Sequence, residues 1–365
     1  MLARWIAALL AFVVVILIGV VTIGNFGTGV DPDNFFDSEG ADSFALIGAI
    51  ALVAGFVVYA SVEYAQTGAL RSIASQFDTR TIVLIPIAVA INIILGATVA
   101  NALKIPIYLD SIGTILVAAV AGPVAGALTG FLSNMLWTYV IPPPFQNGPA
   151  AAFSIVAVVI GVLAGLAARA TWMRPRTNRS GAELAIAGLV AVGILVGVAY
   201  YAYTRFYDDT FAFFNPEVTV DPIFVVVGWI IAGIFVGVVI GFLALLFVRR
   251  DTTVAYIAVA GLITGVIAAL ISAPISANVF GGVTGGGTDF LVAAFRQAGA
   301  DLQTATFQQG LLSDPVDKLV TFFVVYIILA AMARRTLARF PQGERLVETE
   351  DVETDEEGEW RGATA

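Results

Sequence analysis

The sequence predicts an all-α integral membrane protein with about ten transmembrane helices, on three observations. Of the 365 residues, 59% are hydrophobic and only 12% are charged, whereas a soluble domain carries about 25% charged residues. The mean hydropathy is +0.93. Apolar runs of bilayer-spanning length recur along the whole chain, which a soluble protein with one anchor would not show.

The predicted spans begin close to the N-terminus. We interpret "MLARWIAALLAFVVVILIGVV" as a retained first helix, because no clear small-residue cleavage site of a signal peptide follows it. The ten predicted spans cover residues 5–23, 44–64, 81–101, 109–121, 123–140, 151–170, 183–206, 222–248, 253–275 and 317–338.

Positive residues give the predicted orientation, because cytoplasmic loops of membrane proteins are enriched in Lys and Arg. With both termini in the cytoplasm, the cytoplasmic segments before the tail hold twelve arginines and the outer segments hold four positive residues. The outer four are Lys104, Arg205, Arg296 and Lys318. Two acidic loops also fall outside, and the acidic tail is predicted to be a disordered cytoplasmic end.

The stretch "IPIYLDSIGTILVAAVAGPVAGALTG", residues 105–130, is predicted to contain a turn at Gly122-Pro123. A single span over 109–140 would place the Arg174–Arg179 cluster outside, against the charge bias. The helix 109–121 is then about 20 Å long, against a hydrocarbon core of about 30 Å. We therefore expect it to start below the outer surface beside a cavity, with Asp110 as its N-cap and Ser111 assisting.

A second outward-facing feature is the glycine-rich loop between Gly281 and Gly287. Its composition is typical of a turn-rich loop whose backbone can come into close contact with a ligand. Residues 290–312 are predicted to form an amphipathic segment at the outer interface. The last span is predicted to start at "SDPVDKLV", with Asp314 as N-cap and Pro315 at the first helical position.

The candidate substrate-binding residues are polar or aromatic and fall near the outer ends of the spans. Several have a structural alternative: lysines reach the headgroups, Asp110 caps a helix, Trp137 belongs to an aromatic belt, and the loop holding Asn147 is a connector. The candidates are Lys104, Tyr108, Asp110, Asn134, Trp137, Asn147, Asn278, Thr284, Asp289 and Lys318.

One face of the third predicted span carries small or polar residues at four-residue intervals, namely Ala88, Asn92, Gly96 and Ala100. Small residues at this spacing let another helix approach closely, either within this chain or on a partner. Asn92 is also expected to form a hydrogen bond between helices or to face a partner or cavity, because an unpaired amide is unfavourable in hydrocarbon.

Two stretches resemble the substrate-binding S components of energy-coupling factor (ECF) transporters: "IPIYLDSIGTILVAAVAGPVAGALTGFLSNMLW" and "SANVFGGVTGGGTDF…GLLSDPVDKLVTFFVVYIIL". The resemblance implies capture of a vitamin or related micronutrient from outside, with a transmembrane coupling subunit and two cytosolic ATPases as partners. It also implies a coupling contact through the face that includes Ala88, Asn92, Gly96 and Ala100. The location implied is the prokaryotic plasma membrane.

The usual core of this family has six helices, so the remaining spans are predicted to be two added helix pairs. The predicted divisions are an N-terminal two-helix addition (1–80), the first four core helices (81–170) and an inserted helix pair (183–250). The last two core helices with the glycine-rich loop (251–340) and the acidic tail (341–365) follow.

The function predicted is substrate capture without covalent chemistry, so we expect no enzyme activity, no cofactor, no metal and no nucleic acid. Histidine, cysteine and a P-loop motif are all absent. Helix N-termini at residues 110 and 314 would suit a carboxylate or phosphate on the ligand. A self-sufficient secondary transporter is the alternative, although the sequence shows no ionisable residue clearly at mid-depth. A membrane sensory domain is a third.

Overall fold

The structure, a computed structural model, describes residues 2–23, 39–177, 179–202, 204 and 222–347. These residues are predominantly helical and contain no β-strand. The helices are α1 (Leu2–Ile23), α2 (Glu39–Thr67), α3 (Arg71–Ala74), α4 (Thr79–Gly96), α5 (Ile112–Ala121), α6 (Pro123–Tyr139), α7 (Ser154–Arg169), α8 (Gly181–Ala202), α9 (Pro222–Val248), α10 (Thr253–Phe280), α11 (Asp289–Gln297), α12 (Leu302–Ala331) and α13 (Arg334–Leu337).

Within the described ranges, six helices are long and apolar enough to cross a membrane. They are α1, α2, α4 with its π-helical extension Ala97–Ala102, α7 with its preceding 3-10 turn, α8 and α10. The all-α membrane fold class is thus supported, whereas the count of about ten spans stays a prediction. The acidic outer loops fall mainly on residues 24–38 and 205–221, which lie outside the described residues.

The short helix α5 lies at the centre of the bundle, between α4, α6, α7 and α12. All ten of its residues are buried, and at 1.5 Å per residue it is about 15 Å long. Its first turn touches α4 so closely that a Cβ on Gly113 would lie 2.1 Å from the carbonyl oxygen of Ala88. Small side chains therefore allow this helix to be surrounded on every side.

The predicted break at Gly122-Pro123 is confirmed. α5 ends at Ala121, Gly122 has a φ of +132°, and α6 begins at Pro123. Two glutamines satisfy the backbone groups that the break exposes. The Gln76 side chain accepts the N–H of Val124 at 2.8 Å, and the Gln342 side chain donates to the carbonyl of Ala118 at 2.9 Å.

The prediction that residues 341–365 are disordered is wrong for residues 341–347. This segment contains a short 3-10 helix, Gly343–Leu346, and packs against the cytoplasmic-side end of α5 in the predicted orientation. Gln342 and Leu346 are both buried. Gln342 donates its backbone N–H to the carbonyl of Val120 in the last turn of α5, and Leu346 belongs to the hydrophobic core. The remaining tail, residues 348–365, lies outside the described residues.

The predicted start of the last helix at Asp314 is wrong. α12 begins at Leu302, where Asp301 caps it by accepting the N–H of Thr304 at 3.0 Å, and it continues through Pro315. A proline removes one helical hydrogen bond, but membrane helices tolerate it where a neighbouring helix supports the backbone. Here α10 gives that support, since a Cβ on Gly265 would lie 2.4 Å from the Cα of Pro315.

The predicted capping role of Asp110 is also wrong. α5 begins at Ile112 with Ser111 at the N-cap position, and no side chain there makes a capping hydrogen bond. The Ser111 hydroxyl instead accepts a hydrogen bond from the Lys318 ammonium at 2.8 Å. Asp110 faces the cavity described below.

Candidate ligand-binding cavity

A cavity of about 90 Å³ lies at the end of the bundle where α5 begins, opposite the Gly122-Pro123 turn. A water needs about 10–15 Å³ of such space, so the cavity accommodates several waters or a small organic molecule. Its walls come from α5, α6, α7, α10 and α12 and from three loops. The polar lining residues are Asn101, Tyr108, Asp110, Ser111, Thr114, Asn134, Asn147, Ser272, Thr284, Asp314 and Lys318.

The aromatic wall is formed by Trp137 on α6 and Phe153 before α7. The Trp137 indole N–H donates to the carbonyl of Phe145 at 2.8 Å, which fixes the ring against the loop. Gly96 makes room for this ring, since a Cβ there would lie 2.4 Å from Trp137. Phe153 stacks on Phe280 of α10, with ring centroids 5.6 Å apart. Both rings are therefore held in place before any ligand arrives.

A buried ion pair forms the charged side of the cavity. The Lys318 ammonium contacts the Asp317 carboxylate and also donates to Ser111. The second oxygen of Asp317 accepts the N–H of Leu109 at 2.8 Å and that of Tyr108 at 3.2 Å. Asp317 is fully buried. This pair therefore joins the middle of α12 to the loop that precedes α5.

Two further carboxylates line the cavity. Asp314, which is 5% exposed, accepts hydrogen bonds from the Ser272 hydroxyl at 3.1 Å and the Ser313 hydroxyl at 3.4 Å. Asp110 is half-buried, and within the described residues no other side chain donates a hydrogen bond to it. The cavity wall thus holds more negative than positive charge.

Asn92 supports the cavity from below. Its amide nitrogen donates to the hydroxyls of Thr114 at 2.8 Å and Ser133 at 2.9 Å, and its oxygen accepts the N–H of Gly113 at 2.7 Å. Three helices, α4, α5 and α6, are joined by this one side chain. Of the alternatives predicted for Asn92, the hydrogen bond between helices is therefore the one that this structure contains.

The glycine-rich loop covers one side of the cavity. Asp289 holds this loop by accepting the N–H groups of Thr284 at 2.9 Å and Gly285 at 2.7 Å. Burial raises the pKa of Asp289, and the hydrogen bonds from Thr284 and Gly285 oppose that rise. The Lys104 ammonium donates to the carbonyl of Gly285 at 2.5 Å. A Cβ on Gly287 would lie 2.4 Å from the Lys104 backbone, so this contact requires glycine.

The ten sequence-predicted binding residues separate into three groups. Seven line the cavity, namely Tyr108, Asp110, Asn134, Trp137, Asn147, Thr284 and Lys318. Lys104 and Asp289 hold the glycine-rich loop in place. Asn278 is exposed and bonds to Pro274 and Gln303 away from the cavity.

Sequence reasoning missed Asn101, Ser272 and Phe153 as lining residues and assigned Asp314 only a capping role. For Asn101 the one available signal in the sequence was that it is a polar residue near the end of a predicted span and close to Lys104.

The predicted coupling residues Ala88, Asn92, Gly96 and Ala100 are all buried. Ala88, Asn92 and Gly96 contact α5 or α6 of the same chain, so this conformation does not present them to a partner.

Residues 80–216 match the family model of the substrate-specific component of ECF transporters. This match confirms the resemblance to S components for the first of the two motif stretches, residues 105–137, whereas the second stretch, residues 276–329, lies outside it. The matched segment includes α4 to α8. Together with the six apolar helices, it supports a multi-pass plasma-membrane protein of the transport class. Neither the curated proteins nor the solved structures gave a match.

Proposed function

We propose that this chain is the substrate-capture subunit of an ECF-type uptake system and that it binds a vitamin-like micronutrient in the cavity at the start of α5. In the predicted orientation this end faces outside, and both termini lie in the cytoplasm. The transmembrane coupling subunit and two cytosolic ATPases would supply the energy for uptake. The chain's own contribution is binding and orientation of the ligand.

Asn134 carries this proposal. Its side chain is 6% exposed and lines the cavity, and among the described residues it has no hydrogen-bond partner. An amide that lines a cavity and has no partner in the protein is available to hydrogen-bond with water or a ligand, as both a donor and an acceptor. Asn134 lies one helical turn from the fixed ring of Trp137, so a ring-shaped polar ligand satisfies both side chains.

A ligand panel tests the proposal directly. Purified protein in detergent is heated with each member of a set of vitamins and vitamin precursors, and the unfolding temperature is recorded. A ligand at 100 times its Kd stabilises the folded state by about 2.7 kcal/mol. We expect clear stabilisation by one compound or one group of related compounds. Stabilisation only by an unrelated class of solute would contradict the assignment.

A secondary transporter remains the second candidate, because α12 contains ionisable residues that the sequence did not place at mid-helix. Asp314, Asp317 and Lys318 are buried near the middle of this 30-residue helix. Intramembrane ionisable residues of this kind carry coupling ions in proton-driven carriers. Uptake into cells that express the chain with and without the coupling subunit and ATPases separates the two. Partner-independent uptake that an ionophore abolishes would favour the carrier.

A further inference from the structure

The charged side chains around the cavity do not balance. The wall holds Asp110 before α5 and Asp314 and Lys318 on α12, and Asp317 lies behind the wall in contact with Lys318. Together these side chains give three negative charges and one positive charge. α6, α7 and α10 contribute no charged side chain to the lining among the described residues. Lys318 contacts Asp317 directly and acts on Asp110 and Asp314 only through space, so one ammonium is shared by three carboxylates.

The charges outside the wall do not correct this imbalance. Asp289 and Lys104 both hold the glycine-rich loop, where they bond to opposite sides of Gly285. They contribute one negative and one positive charge and therefore cancel. The net charge of the cavity and its cover is minus two when all carboxylates are ionised.

An aromatic ring lies beside one of the two unbalanced carboxylates. A Cβ on Gly96 would lie 2.4 Å from the edge of the Trp137 ring and 3.0 Å from the Cβ of Asp110, so the indole and the base of the Asp110 side chain are neighbours. Cations are attracted to the face of an indole ring, and the attraction increases when water is excluded. A carboxylate next to an indole is thus a combination that recognises a cation.

We infer that the ligand captured in this cavity is an organic cation, with its positive charge between Asp110 and Asp314 and an apolar or aromatic part against Trp137. This inference rests on the proposed function and names the substrate class. Placing several carboxylates around one ammonium away from bulk water is unfavourable, and a ligand cation lowers that penalty. The remaining polar lining, including Asn134 and Asn147, is available to neutral donors and acceptors of the same molecule.

The alternatives fit less well. An anionic ligand would meet two unpaired carboxylates, and the wall's one ammonium is already engaged by Asp317 and Ser111. The helix N-terminus predicted at residue 314, which favoured a carboxylate or phosphate, does not exist because α12 runs through that position. Within the described residues no group of three carboxylates is arranged to hold a metal ion.

Charge-matched compounds test this inference on the wild-type protein, independently of whether any variant folds. Thermal unfolding and equilibrium binding are measured with the vitamin panel and with benzylamine, benzyl alcohol and benzoate, which share one ring and differ in charge. We expect the strongest ligand in the panel to be a cation at neutral pH. We also expect benzylamine to stabilise the protein more than benzyl alcohol, and benzoate to have no effect.

The variants Asp110→Asn and Asp314→Asn then test the two carboxylates. Removing one partner of a buried charge pair typically weakens binding by about 2 kcal/mol or more, which is roughly 30-fold in Kd. The matched control is Asp301→Asn, which makes the same change at the exposed cap of α12, where asparagine also caps well. We expect the control to bind cations as the wild type does.

The outcomes distinguish the inference from the function on which it rests. A neutral or anionic compound as the strongest ligand overturns the inference and leaves the proposed function intact. The same holds if both carboxylate variants keep wild-type affinity for the cation. If no compound of any charge binds, the proposed function fails and the inference fails with it.

Discussion

The buried pair Asp317–Lys318 gives the sharpest stability prediction. Asp317→Asn keeps the shape of the side chain and leaves one oxygen to accept the N–H of Leu109, but it removes the charge beside Lys318. Removing one partner of a buried pair typically destabilises a protein by about 3–5 kcal/mol. We expect about 3 kcal/mol here, because the carboxylates of Asp110 and Asp314 still act on Lys318.

The assay is reversible denaturation of the purified protein in mixed micelles, with Asp301→Asn as the matched control. Lys318→Met and the double variant complete a double-mutant cycle. We expect the double variant to be less destabilised than the sum of the two single variants, by about 2 kcal/mol, because it leaves neither charge unpaired. Strict additivity, or a loss from Asp317→Asn no larger than that of the control, would refute the pairing.

Three other predictions concern packing and hydrogen bonds. Gly265→Ala should destabilise the protein by about 1–3 kcal/mol, because the added Cβ would meet the Pro315 backbone. Its control, Gly193→Ala, should be neutral or slightly stabilising, because nothing lies within 4 Å of the added atom. Asn92→Ala should lower the free energy of unfolding by about 1–3 kcal/mol, because three hydrogen bonds between helices are lost. Trp137→Phe should raise the ligand Kd about threefold to tenfold without unfolding the protein, because it removes the bond to the Phe145 carbonyl and part of the ring that packs at Gly96 but keeps an aromatic side chain. The glycine and Asn92 variants are measured by denaturation, and Trp137→Phe is measured by a binding titration.

Hydropathy and charge bias predicted the parts of the fold that depend on local sequence. The short α5, the turn at Gly122-Pro123 and the position of one cavity wall followed from helix length against membrane thickness. Trp137 and residues of the glycine-rich loop, two features that the sequence singled out, also line the cavity. These features depend on the amino-acid composition of short stretches of the sequence.

The features that failed depend on contacts distant in sequence. "SDPVDKLV" has the residues of a helix start, but α10 supports Pro315 and the helix continues through it. Asp314, Asp317 and Lys318 then form a charged wall with residues some 200 positions earlier, Tyr108, Leu109 and Ser111. Local pattern rules assign such acids to caps, and only the packing of α12 beside α5 shows their actual partners.

The missing partner of Asn134 allows the most direct test of ligand capture. The measurement is the Kd of the most strongly stabilising compound for the wild type, for Asn134→Leu and for Asn278→Leu, which makes the same change on the exposed side of α10 outside the cavity. We predict that Asn134→Leu weakens binding at least about tenfold, as expected for a lost buried hydrogen bond, and that Asn278→Leu has no effect. Equal affinities in all three proteins, with both variants folded, would contradict ligand capture in this cavity.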